Sequence, residues 1–169
     1  MNETIKDALK EELIRKLNEK ENIRKKCLER LESYNKAKND LFEELESFVS
    51  NTPAKATWLN NGVFTNVYEN QFPLKGISIS FPPAQITLQP QLAPGGDALE
   101  NSSFALAIFG TKLPPPFQQG LRIVYNPLSN EWRLDDPNKR SKDLDGFMAA
   151  GGEKITLEDF KRAIINVLG

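Results

Sequence analysis

Hydrophobic and polar positions follow two different periods along this chain, and the change falls near residue 50. From Asn2 to Ser50 there is no Pro and no Gly. Apolar residues there recur at spacings of three and four: Leu9, Leu13, Leu17, then Ile23, Cys27, Leu31, Tyr34, then Leu41, Leu45, Phe48. Such spacings keep side chains on one face of an α-helix, so the segment predicts one long helix. Cys27-Leu31-Tyr34 and Leu41-Leu45-Phe48 fit a heptad seam, and Lys20, Arg24 and Lys38 interrupt it. Ile14, Leu28, Phe42 and Val49 widen the stripe, which suits packing against more than one neighbour better than a strict two-stranded seam. Asn2 and Thr4, with Glu3 and Asp7, supply a start signal, and Ser50-Asn51-Thr52-Pro53 supplies a stop.

A helix of about 48 residues spans roughly 70 Å, more than the diameter of a domain this size. One small domain therefore cannot cover the whole stripe. The remaining turns need a second copy, another protein, or a bend, for which the polar run Asn18 to Asn22 is the natural place.

Beyond residue 50 the period shortens to two. Pro53 to Asn61 reads as a connector, and Asn60-Asn61-Gly62 as a turn. Val63, Phe64, Val67 and Tyr68 suggest a first strand, closed by Gln71-Phe72-Pro73. From Gly76, Ile77, Ile79 and Phe81 alternate with Ser78 and Ser80, the pattern of a half-buried strand. Pro82-Pro83 breaks it, and Ile86 and Leu88 begin another, forming either a pair with it or one long bent edge strand. The segment Ala93 to Ser102 reads as a loop. Ser103 to Phe109 is apolar on both faces, as a central strand is. Pro114-Pro115-Pro116 favours an extended exposed segment. Leu121 to Tyr125 and Glu131 to Leu134 form a hairpin pattern. Ser141 to Ala150 suggests a short helix. Thr156, with Asp159 at the capping-box position, opens a final helix with a stripe of Phe160, Ala163, Ile164, Val167 and Leu168. The expected architecture is α+β: a coiled-coil-like arm over residues 1–50, then a small domain over 51–169 with five or six antiparallel strands and a C-terminal helix on the sheet.

Composition narrows the function classes. The 169 residues suit one domain plus an appendage, or at most two small domains. A net charge of -1 gives no reason to expect nucleic acid or an anionic membrane surface. No apolar run is long enough to span a bilayer, and the charged N-terminal helix lacks a signal-peptide core, so a cytoplasmic location is expected. Histidine is absent and there is one cysteine, which removes imidazole catalysis and thiolate zinc sites.

The remaining candidate chemistry is sparse. Asp143-Leu144-Asp145-Gly146 looks like part of a calcium loop, yet the twelfth position from Asp143 is Lys154, where a Glu is needed. Gly95-Gly96-Asp97 and Gly151-Gly152-Glu153 lack phosphate-loop spacing and read as turns. Arg24-Lys25-Lys26 is interleaved with glutamates and reads as a salt-bridged surface. Cys27 reads as a small buried hydrophobe, or would face its own copy in a parallel pair. Pro114 to Pro116 would otherwise serve as a ligand for a proline-reading domain. The aromatics, among them Trp58, Phe104, Tyr125 and Trp132, build a core or line a pocket. No cofactor, metal or catalytic residue is expected. The favoured expectation is a non-catalytic interaction or assembly protein that associates with itself or a protein partner through Leu13, Leu17, Ile23, Cys27, Leu31, Tyr34, Leu41, Leu45 and Phe48. The alternatives are an apolar-ligand pocket between the sheet and the final helix, or an enzyme using carboxylates or Lys near Asp135 to Asp145.

Overall fold

The computed structural model describes residues 2–65, 71–92, 104–139, 141–142, 148–149 and 151–169. The Pro- and Gly-free segment forms a single helix, α1 (Asn2–Val49), which runs through Asn18 to Asn22 as one element. It stops where the sequence signals: Asn51 takes the left-handed conformation (φ 62°), which Asn tolerates better than most residues, and the Thr52 hydroxyl and N–H both donate to the Val49 carbonyl.

Among the described residues seven antiparallel strands follow in one sheet, ordered β1 (Lys55–Thr65), β2 (Gln71–Phe81), β3 (Ala84–Leu92), β4 (Phe104–Gly110), β5 (Leu121–Asn126), β6 (Glu131–Leu134) and β9 (Lys154–Ile155). Two further short strands, β7 (Ser141–Lys142) and β8 (Met148–Ala149), pair with each other. The final helix is α2 (Leu157–Leu168). The architecture is α+β, with the C-terminal helix packed on the sheet.

Several local expectations are corrected. The connector from Lys55 onward and the Asn60-Asn61-Gly62 turn are instead part of β1. The pairing shifts between Asn60 and Val63, so two residues of β1 oppose one of β2, and the turn-forming residues serve a β-bulge. Pro82-Pro83 joins β2 to β3 as a two-residue turn with a cis peptide bond, which settles the pair over the bent strand. The triple proline is a tight turn, not an extended exposed segment: the Phe117 N–H donates to the Pro114 carbonyl at 2.9 Å and buries Phe117 against Phe160. The ends of the expected 141–150 helix pair as β7 and β8, because short-range ladder pairing satisfies their backbone without a helical stripe to bury. The glycine-rich loop at 95–97, the acidic run 143–146, and Val67 and Tyr68 lie outside the described residues.

The core lies on one face of the sheet. Ile77, Ile79, Ile86, Leu88, Leu106, Ile108 and Ile123 alternate onto it, and two helices cover it. α2 contributes Phe160, Ala163, Ile164 and Val167; α1 contributes Leu41, Phe42, Leu45 and Val49. Each fully buried side chain of this size adds about 1.5–3 kcal/mol. A second cluster joins Leu31 and Tyr34 of α1 to Phe104 and Tyr125. The other face is largely polar. Gln85 donates to Ser78 (2.7 Å) and Thr87 (3.1 Å), Arg122 pairs with Asp135 (3.0 Å), and Arg133 pairs with Glu131 (3.0 Å). Burial along α1 therefore changes near Cys27 and not at residue 50. Residues 27–49 share a core with the sheet, while the turns before them are exposed.

Candidate functional site

Heptad spacing puts the nine candidate partner-binding residues on one face of α1, and the fold divides them. Cys27, Leu31 and Tyr34 are 0% exposed, and Leu45 and Leu41 are also buried. Phe48 is half-buried against the main core. These six are held by their own chain. Leu13, Leu17 and Ile23 are 50%, 64% and 37% exposed. Ile5, Leu9 and Ile14 are exposed with them. Ile5 escaped the sequence reading, although the four-residue spacing Ile5-Leu9-Leu13-Leu17 was there to find it.

The exposed stripe is flanked by charge. Arg15 pairs with Glu12 and Glu19, and Arg24 with Glu21. These are solvent-facing pairs one helical turn apart, and solvent screening keeps each of them weak. They stiffen the polar flanks of the helix and leave the apolar stripe between them uncovered. Cys27, which would face its copy in a parallel pair, is instead buried within one chain.

Lys38 occupies a seam position and is 1% exposed. Its ammonium donates to the Lys75 carbonyl at 2.7 Å and lies 5.3 Å from the centre of the Phe42 ring. Burial first, then the neighbouring Lys75, lowers its pKa from 10.5 to about 8. The lysine that interrupts the heptad pattern is thus accommodated by the chain's own sheet. Nearby Tyr34 donates to the Ala105 carbonyl at 2.7 Å, and burial pushes its phenol well above the ordinary range.

Open space is limited. Among the described residues the interior between sheet and α2 is filled: the void bordered by Leu45, Ile77, Leu88 and Phe160 is about 10 Å³, too small for more than a single water. Of the aromatics considered as pocket lining or core, Trp58, Phe104, Phe117, Tyr125 and Trp132 belong to the core clusters, whereas Phe81 and Phe109 are exposed. Phe42 stacks edge-on to Trp58, and Tyr34 contacts both Phe104 and Trp132. Among the described residues an apolar groove of about 380 Å³ opens at the rim, where Phe48, Phe81, Ile165 and Leu168 meet.

Of the residues considered for catalysis or metal binding, Asp143 and Asp145 lie outside the described residues. Asp135 is bound to Arg122 on the polar sheet face. Among the described residues no cluster of three or more acidic or cysteine side chains is placed to hold a metal. Gly151 and Gly152 make close backbone approaches. A Cβ on Gly151 would lie 2.1 Å from the Lys139 carbonyl oxygen and one on Gly152 2.2 Å from the Leu134 carbonyl oxygen, close packing that only glycine allows. No helix among the described residues is long and apolar enough to cross a membrane. The chain matches no protein-family model, no curated protein and no solved structure.

Proposed function

We propose that this is a non-catalytic interaction or assembly protein that binds itself or a protein partner through the exposed half of α1. The observation that carries this reading is the Ile5-Leu9-Leu13-Leu17 stripe, which is exposed on a helix whose other half is anchored in a folded domain. An isolated apolar side chain at a surface needs no explanation, whereas an aligned series on a rigid rod makes a docking face. The anchored half also holds the exposed turns in helical form, so binding does not have to nucleate a helix. A cytoplasmic location belongs to the same proposal and is checked by fractionating cells that express the tagged chain.

The test compares the intact protein with Leu9→Asp/Leu13→Asp. Light scattering is expected to show a mass above one chain, or a tagged chain to retain a stoichiometric protein partner. The double variant loses either association while keeping its thermal transition. A strictly monomeric protein that retains nothing beyond what the double variant retains would remove the proposal.

The rim groove supports a second reading, capture of an apolar small molecule at the junction of α1, β2 and α2. It predicts a rise in Tm with fatty acids or aromatic compounds that Ile165→Glu abolishes. No shift with either ligand class would end it.

A further inference from the structure

We infer that the exposed half of α1 docks on the same segment of a second copy, with the two helices antiparallel. This rests on the reading of α1 as a docking arm and adds the occupant and its orientation.

The first ground is steric. Leu13-Leu17, Cys27-Leu31 and Leu41-Leu45 repeat every fourteen residues, two heptads apart, so they lie along one continuous face. The domain sits on that face from Cys27 to Val49. A parallel, in-register pair joined through the face would require each domain to occupy the place of the other helix. An antiparallel pair overlaps only the turns from Glu3 to Lys26, roughly 36 Å of helix, and sends the two domains to opposite ends.

The second ground is charge. In the first turns Glu3, Asp7, Glu11 and Glu12 outnumber Lys6 and Lys10. Further on, Arg15, Lys16, Lys20, Arg24, Lys25 and Lys26 outnumber Glu19 and Glu21. The exposed arm is therefore acidic at one end and basic at the other. Antiparallel pairing sets the acidic turns of one copy beside the basic turns of the other, whereas parallel pairing opposes like charges. Opposed helix dipoles favour the same sense. A chain whose two arm ends are complementary fits its own copy without any further partner.

Lys6 and Lys20 are both exposed and mark the two ends of the stripe. Full-length chains carrying Lys6→Cys or Lys20→Cys, each with Cys27→Ala, are treated with a short bismaleimide, alone and mixed. The mixed pair is expected to give at least about five-fold more covalent dimer than either chain alone, and Leu13→Asp to abolish it. A second series keeps Cys27, which is buried and out of the reagent's reach, in case the alanine weakens the core. Efficient same-site dimers with no mixed product would overturn the antiparallel sense. A monomer in light scattering, with no cross-link in either series, would overturn self-pairing. Retention of a different partner on the Leu13 face would then show that the arm docks while the second-copy assignment fails.

Discussion

Lys38 shows how one residue's surroundings set a measurable property of the whole chain. Its folded pKa of about 8 lies below the ordinary 10.5. Between those values the unfolded chain keeps a proton that the folded chain has released, so stability rises with pH across that window. Below about pH 8 both states are protonated, and folding carries the full cost of the buried charge. The slope within the window is at most about 1.4 kcal/mol per pH unit, the value for one proton. Urea unfolding at pH 7.5 and 9.5 is expected to show this gain, and Lys38→Met to remove it. An unchanged slope in the variant would assign it to other groups. Tyr34 gives a second test. Tyr34→Phe removes the hydroxyl that donates to the Ala105 carbonyl, with a loss of about 1 kcal/mol expected in the same assay. Neither effect was legible from residue type alone. The sequence marked Lys38 only as a break in a seam and Tyr34 only as part of a stripe, because their partners lie far along the chain at Lys75 and Ala105.

At the scale of elements, α2 carries its own start signal. The Thr156 hydroxyl accepts from the Asp159 N–H, and the Asp159 carboxylate accepts from the Thr156 N–H, a reciprocal capping box. Thr156→Ala is expected to cost about 1 kcal/mol. Asp159→Ala combined with it is expected to cost less than the two single losses together, because each residue serves the other. Thermal unfolding of the three variants checks both points, and strict additivity would mean the two bonds act independently. This cap was legible because it is local: four consecutive residues contain the whole device. The bulge in β1 was not. Asn60-Asn61-Gly62 has turn composition, but whether such residues reverse the chain or add one residue to a strand depends on the neighbour strand, here Pro73 to Lys75 of β2. Pro114 to Pro116 likewise has an extended preference, which the burial of Phe117 beneath α2 overrides.

At the scale of the molecule, α1 belongs to two structures at once. Its residues from Cys27 to Val49 complete the core, and those before them project as the arm. Removing residues 1–22 is expected to change Tm by no more than about 2 °C, since the lost side chains are exposed. A chain beginning at Asn51 lacks Leu31, Tyr34, Phe42 and Leu45 and is expected to show no cooperative thermal transition. Differential scanning calorimetry distinguishes the two outcomes. A cooperative transition in the shorter chain would mean that the sheet and α2 suffice as a core.

The sequence by itself determined the elements: a helix through residue 49, the inward set Ile77 and Ile79, a doubly covered strand at Phe104 to Ile108, and a capped final helix. Those follow from periods of 3.6 and 2, which are properties of neighbouring residues. Only the tertiary structure decided where the leucine-lined face is sheltered and where it is left bare. Leu17 and Leu31 are equivalent in the repeat, yet one meets solvent and the other Tyr34 and Phe104. The difference arises because the sheet is broad enough to cover half of the helix and no more, and breadth comes from pairing strands that are distant in the chain.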